Sequence, residues 1–124
     1  SRSEDNTFYR ISTEGGIPSV WDRDGWYERF GLGESSSGSG FTPEQVAAFK
    51  PDKELQVTYM ESVRESVQNG LSSMTDNDLD RLLSPDNPRL TVGRQIQSFV
   101  VGHGFFHLGE IRFLKGLQGM PFAR

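Results

Sequence analysis

The sequence predicts an all-α protein, on three observations. Apolar residues recur at intervals of three and four over residues 55–71 and 92–117. Helix-start signals stand at Thr42, at Pro51–Asp52 and at Thr75. No segment shows the strict alternation of a half-buried strand. A length of 124 residues fits a single domain, 1–124, with room for a real core.

Taken in order, residues 1–13 (SRSEDNTFYRIST) read as a helix with Phe8 and Ile11 facing inward. Residues 14–41 are rich in Gly, Pro and Ser, and no helical period survives there. Their cluster of Trp21, Trp26, Tyr27 and Phe30 predicts a connection packed on the body of the protein, and the SSSGSG run at 35–40 a short flexible piece. The segment 42–83 opens with Thr42 as N-cap, Pro43 at the first helical position and Gln45 closing a capping box, for a short helix to about Phe49. Pro51 and Asp52 start a longer helix of about five turns, its stripe formed by Leu55, Tyr59, Met60, Val63, Val67 and Leu71. Thr75 caps a short helix carrying Leu79, Leu82 and Leu83, and the two prolines of residues 84–88 make a loop. The last helical region, 91–118, holds one helix from about Val92 to Leu117, with Gly119 and Pro121 as stop signals.

Composition narrows the function. A net charge of -4 argues against nucleic acid or an anionic membrane as partner. No apolar run reaches the roughly 20 residues of a membrane span. No signal-peptide pattern is present, which makes the cytoplasm the default location. With no cysteine there is no disulfide, no thiolate nucleophile and no Cys-type zinc site, so any thiol chemistry takes its thiol from a ligand. The chain opens on Ser1 inside a predicted helix, which suggests a missing amino-terminal part.

Both histidines of the chain lie in the last helix, at 103 and 107, with Glu110 three residues on. At 100° per residue, and with His103 at zero, His107 falls near about +40° and Glu110 near about -20°. The same stripe holds Ile96, Phe99, Leu114 and Leu117, and is expected to face the core. Two imidazoles spaced i, i+4 can aim at one metal ion. Glu110 is then a third ligand, a base, or an acceptor fixing a ring tautomer. The competing reading is a pair of core histidines bonded to backbone carbonyls, with Glu110 neutralising an arginine. HxxxH is a weak motif, and Gly104 stands where a zinc protease has its catalytic Glu. Val101, Phe105 and Leu108 make the opposite side apolar too, so the helix is central or lies at an interface. Gly102, Gly104 and Gly109 are expected to admit a neighbouring backbone.

HGFFHLGEIRFLKGLQG, residues 103–119, resembles the last-helix motif of the DinB-like superfamily. GGIPSVWDRDGWYERFGLGE and FTPEQVAAF are similar to the long connection between the second and third helices in one branch of it. TYMESVRESVQNGLSSMTDNDLDRLL is similar to its third helix and the short helix that follows. The resemblance covers essentially the whole chain, in order. It implies a four-helix bundle whose first helix is absent from this chain, and a divalent metal (zinc, nickel or iron) with His103 and His107 as two of three histidine ligands. The third belongs to a pattern like H-L-x-R-x-E-D, whose end matches Arg2, Glu4 and Asp5, so its His is expected just before Ser1. Glu4, Glu110 or a partner chain are the substitutes, although a helix-start carboxylate is the commoner role for Glu4.

The activity implied is a metal-dependent transferase or hydrolase in which a small thiol or water attacks an electrophile, with Glu110 orienting the ligands or the bound water. The alternatives are a non-catalytic, stress-associated binding module with a degraded metal site, or a purely structural dimeric bundle. A homodimer is expected in any of these, because the apolar last helix and the bundle's uncovered stripe both need a partner.

Overall fold

Helices dominate the computed structural model, which describes residues 2–12 and 18–120. No strand occurs among them, in keeping with the all-α class. The chain divides into two compact units, residues 1–76 and 77–124.

The amino-terminal unit contains α1 (Arg2–Ile11), α2 (Val20–Arg23), α3 (Trp26–Arg29), α4 (Pro43–Ala48) and α5 (Lys53–Ser72). Phe8 and Ile11 of α1 are buried, as their spacing predicts, and so is Asp5. Thr13, the end of the predicted first helix, lies outside the described residues. The aromatic connection packs on the body as expected: Val20, Trp21, Trp26, Tyr59 and Val63 form the core, flanked by Tyr27, Phe30, Leu32, Leu55 and Val67. The Trp21 and Phe30 rings stack at 5.8 Å, and Tyr59 meets Trp26 at 5.2 Å and Trp21 at 5.7 Å. Each such ring pair contributes about 0.5–1.5 kcal/mol beyond the area it buries.

Local chemistry fixes the turns around that core. Ser19 caps α2, its Oγ accepting from the Asp22 amide and donating to Asp22 Oδ2. Gly31, at φ 64°, closes α3: its amide donates to Glu28 O, and the Leu32 amide reaches back to Tyr27 O. That pair of bonds is a Schellman motif, which needs the left-handed conformation glycine adopts without strain. The Thr42–Gln45 capping box forms in both directions, and Asp52 caps α5 by accepting from the Leu55 amide at 3.0 Å. The α5 stripe is narrower than its period suggests. Tyr59 and Val63 are buried, whereas Met60 and Leu71 stand exposed.

The carboxy-terminal unit holds α7 (Val92–Gln95), a π-helical stretch (Ile96–Gly102) and α8 (His103–Leu117); α6 (Asp76–Asp80) begins at the boundary. The short helix ends at Asp80, before Leu82 and Leu83, which the leucine spacing predicts on it. Instead Leu82 pairs with Thr91 in an isolated antiparallel bridge, closed by bonds from the Leu83 amide to Leu90 O and from the Val92 amide to Arg81 O. The turn residues between the prolines bring the two segments together, and the ladder groups replace the next helical turn. Thr91 caps α7 through the Arg94 amide. A side chain at Gly93 would press to 3.2 Å on the Leu79 carbonyl, so glycine permits this close approach.

The predicted continuous last helix is interrupted by its π stretch. Here too a glycine is accommodating, since a Cβ at Gly102 would stand 3.2 Å from Gln97 O, five residues back. Gly119, at φ 68°, ends α8 with a second Schellman motif, Gly119 to Gly116 O and Met120 to Lys115 O. The stop signal at Gly119 is thus used, and Pro121 lies outside the described residues. The apolar stripe expected to face a core is exposed: Phe99, Leu114 and Leu117 lie open, as do Val101, Phe105 and Leu108 on the other side. Gly109 has no neighbour within 4 Å where close backbone contact was expected. Helical period decides which residues share a face; whether anything covers that face is a separate matter.

Candidate metal centre

His103 is the first residue of α8, directly after the π stretch, and is half-buried; His107 and Glu110 follow one turn apart and are about half exposed. Helical geometry brings them together as i, i+4 and i, i+3 neighbours. The two Nε2 atoms lie 3.1 Å apart, and His107 Nδ1 lies 2.7 Å from Glu110 Oε2. The rings meet edge to face at 4.3 Å between centroids. Phe99 stands 6.4 Å from the His103 ring and Phe106 5.7 Å from that of His107, so the pair is bordered by apolar groups.

The hydrogen-bond roles follow from the partners. A carboxylate at Glu110 accepts from His107 Nδ1–H, which leaves His107 Nε2 with a free lone pair. His103 Nε2–H then donates to that lone pair. A metal ion would replace this shared proton. Zinc–imidazole bonds of about 2.0–2.1 Å at a tetrahedral angle put two nitrogens about 3.3 Å apart. The observed 3.1 Å therefore fits two ligands of one ion with little movement of either ring. The donor set stops there: among the described residues, no group of three or more His, Cys, Asp or Glu side chains converges on a common point. Glu110 sits on the far side of the His107 ring, at Nδ1, where it fixes the tautomer. Glu4 is half-buried on α1 in the other unit.

A second polar cluster, which no sequence motif marks, lies inside the amino-terminal unit. Buried Asp5 accepts from the Val20 amide at 2.8 Å, the Trp21 amide at 2.9 Å and the Tyr59 hydroxyl at 3.0 Å. It thereby satisfies two orphan donors at the start of α2 and ties α1 to α5. Burial, reinforced by the Asp5 carboxylate, pushes the Tyr59 hydroxyl far above the ordinary phenol range, which keeps it protonated as a donor. Two signals were available: Asp5 shares a helix face with Phe8, and a tyrosine on an apolar stripe needs a partner for its hydroxyl.

No match to a protein-family model or to a curated protein was found for the chain. No helix of the described residues is long and apolar enough to cross a membrane.

Proposed function

We propose that the chain is a DinB-like, metal-dependent enzyme of the thiol S-transferase or hydrolase type, with His103 and His107 holding a divalent zinc, nickel or iron ion. The observation that carries this reading is the convergence of the two Nε2 atoms to 3.1 Å, with Glu110 holding His107 in the ligating tautomer. A metal bound there supplies Lewis acidity that lowers the pKa of a thiol or water. The chain's own contribution is positional. Glu110 keeps a proton on Nδ1 and off Nε2, so that the Nε2 lone pair stays directed at the partner nitrogen. The substrates proposed are a small thiol and a small electrophile, in the cytoplasm, on a four-helix bundle of the DinB-like kind.

A second reading has its own support. Among the described residues two ligands converge, and α8 exposes Phe105, Phe106, Phe113 and Leu117 at 63–70%. This favours a homodimer in which the fold serves binding or assembly, with no reaction at the histidines.

Calorimetric titration of zinc and nickel into the full chain, His103→Ala and His107→Ala tests the site. Each substitution should weaken uptake at least tenfold, and uptake should weaken on acidification because a proton competes for the same nitrogens. Variants that bind as tightly as the parent end the metal reading. Transfer of a small thiol to a dinitrophenyl halide by the metal-loaded protein then separates enzyme from module. Sedimentation of the parent and of Phe105→Glu addresses assembly: a parent that stays monomeric at micromolar concentration removes the homodimer.

A further inference from the structure

The amino-terminal unit contains a cleft of about 330 Å³, near the lower end of small-molecule sites. Trp21, Phe30, Phe41, Phe49 and Tyr59 supply aromatic walls, with Phe30 and Phe49 at 6.4 Å and Phe41 and Phe49 at 6.3 Å. Among the described residues that line it, Arg2 alone carries a formal charge.

Arg2 is held in a fixed pose on the lining of this cleft. Its guanidinium carbon lies 4.7 Å above the Trp21 ring, and its Nε donates to Ser36 O at 3.3 Å. Its Nη1 is buried without a hydrogen-bond acceptor, so a guest in the cleft meets the part of the side chain that stays exposed, 20% of it. Asp5 pairs with the guanidinium electrostatically at 4.0 Å, beyond hydrogen-bonding distance, while the Asp5 oxygens take three donors from Val20, Trp21 and Tyr59. A guanidinium presents a planar fork of N–H groups matched to a carboxylate. One cation without a second beside it suits a single negative charge better than a phosphate dianion, and the same charge disfavours a cationic guest among the aromatic rings.

We propose that this cleft binds a small aromatic carboxylate of one or two rings, stacked among Trp21, Phe30 and Phe49, with its carboxylate on the Arg2 guanidinium. The inference is independent of the metal reading, because every residue it uses lies in the amino-terminal unit.

Nitrogen-15 spectra of the full chain, titrated with 2-naphthoate and with its neutral analogue 2-naphthamide, test it. The chain's two tryptophans give two indole N–H signals. Trp21, whose Nε1 donates to Glu34 O, lines the cleft, whereas Trp26 does not. The Trp21 signal should move saturably with naphthoate while that of Trp26 moves little. The amide should bind about tenfold more weakly, the difference between a charge-assisted and a neutral hydrogen bond. Arg2→Gln should bring the acid down to the affinity of the amide, and Arg2→Lys should keep part of the preference. Val46→Glu, at an exposed position on the cleft wall, provides a check that leaves Arg2 and the core in place. It should weaken the acid severalfold and spare the amide. The proposal is overturned by no saturable Trp21 shift at millimolar naphthoate, by equal affinities for acid and amide, or by undiminished acid binding in a folded Val46→Glu.

Discussion

Asp5 and Glu110 are carboxylates placed on helices within hydrogen-bonding distance of their partners, yet they belong to opposite kinds of site. Asp5 is 4% exposed and gathers donors from residues 15, 16 and 54 positions away in sequence. Glu110 is about half exposed and bonds one ring three residues back on the same helix. The first arrangement exists only when three helices are in place, so it reports on tertiary structure. The second follows from helical spacing alone and is formed wherever α8 is helical. Water supplies substitute partners at Glu110 and none at Asp5. The same functional group, a carboxylate, therefore serves folding in one unit and stays open to solvent in the other.

The largest effect is expected at Asp5. Asp5→Ala strands two backbone amides and a phenol hydroxyl in a buried site, at a cost of about 3–5 kcal/mol in urea unfolding, or failure to fold. A cost under 1 kcal/mol would mean that water reaches these donors and would erase the contrast. Next comes Glu110→Gln, read on metal affinity because stability should hardly register it. An acceptor that fixes a ligand's tautomer accounts for about 10–100-fold in affinity, so the glutamine variant should bind zinc weaker by that factor in calorimetry. Unchanged affinity would show that His107 needs no help from the carboxylate.

Tyr59→Phe keeps the ring contacts with Trp21, Trp26 and Phe30 and removes one donor from Asp5. The remaining two amides still hold the carboxylate, so the expected loss is about 1 kcal/mol in the same unfolding measurement. A loss as large as that of Asp5→Ala would make the hydroxyl, and not the α2 amides, the main support of the cluster.

Much of this contrast is legible in the sequence, and the remainder depends on which elements become neighbours. His103, His107 and Glu110 were placed on one face because a helix fixes the angle between residues three and four apart. The Thr42 capping box and the Asp52 cap were legible for the same reason: each is complete within four residues. Packing of Trp21, Trp26 and Phe30 followed from the cost of leaving so much aromatic surface in water. What period could not supply was the neighbour. The α8 stripe reads as a core face and lies exposed, and Met60 shares a stripe with Tyr59 yet points outward. The burial of Asp5 is not legible locally, because its donors come from the start of α2 and from α5. The π stretch before His103 gave no composition signal beyond Gly102, whose missing Cβ clears Gln97 O. Residues 81–83 read as helix because the leucines suit one, whereas pairing with residues 90–92 depends on how the loop between them closes.

The smallest effect is expected where the functional proposal is strongest. Without metal, His107 makes a half-exposed bond to Glu110 and an imidazole–imidazole bond to His103, both within one helix. Exposed pairs at this spacing contribute about 0.3–0.5 kcal/mol, because water competes for each group and two side chains must be ordered. His107→Ala should therefore change the unfolding free energy of the metal-free chain by about 0.5 kcal/mol or less, with alanine's better helix propensity offsetting part of the loss. A double-mutant cycle between His107 and Glu110 should give a coupling of similar size, reduced further by salt. A coupling above about 1.5 kcal/mol would exceed what a solvent-exposed pair supports. It would mean that the pair is covered in solution, and the histidines would then belong to a core or an interface, as Asp5 does.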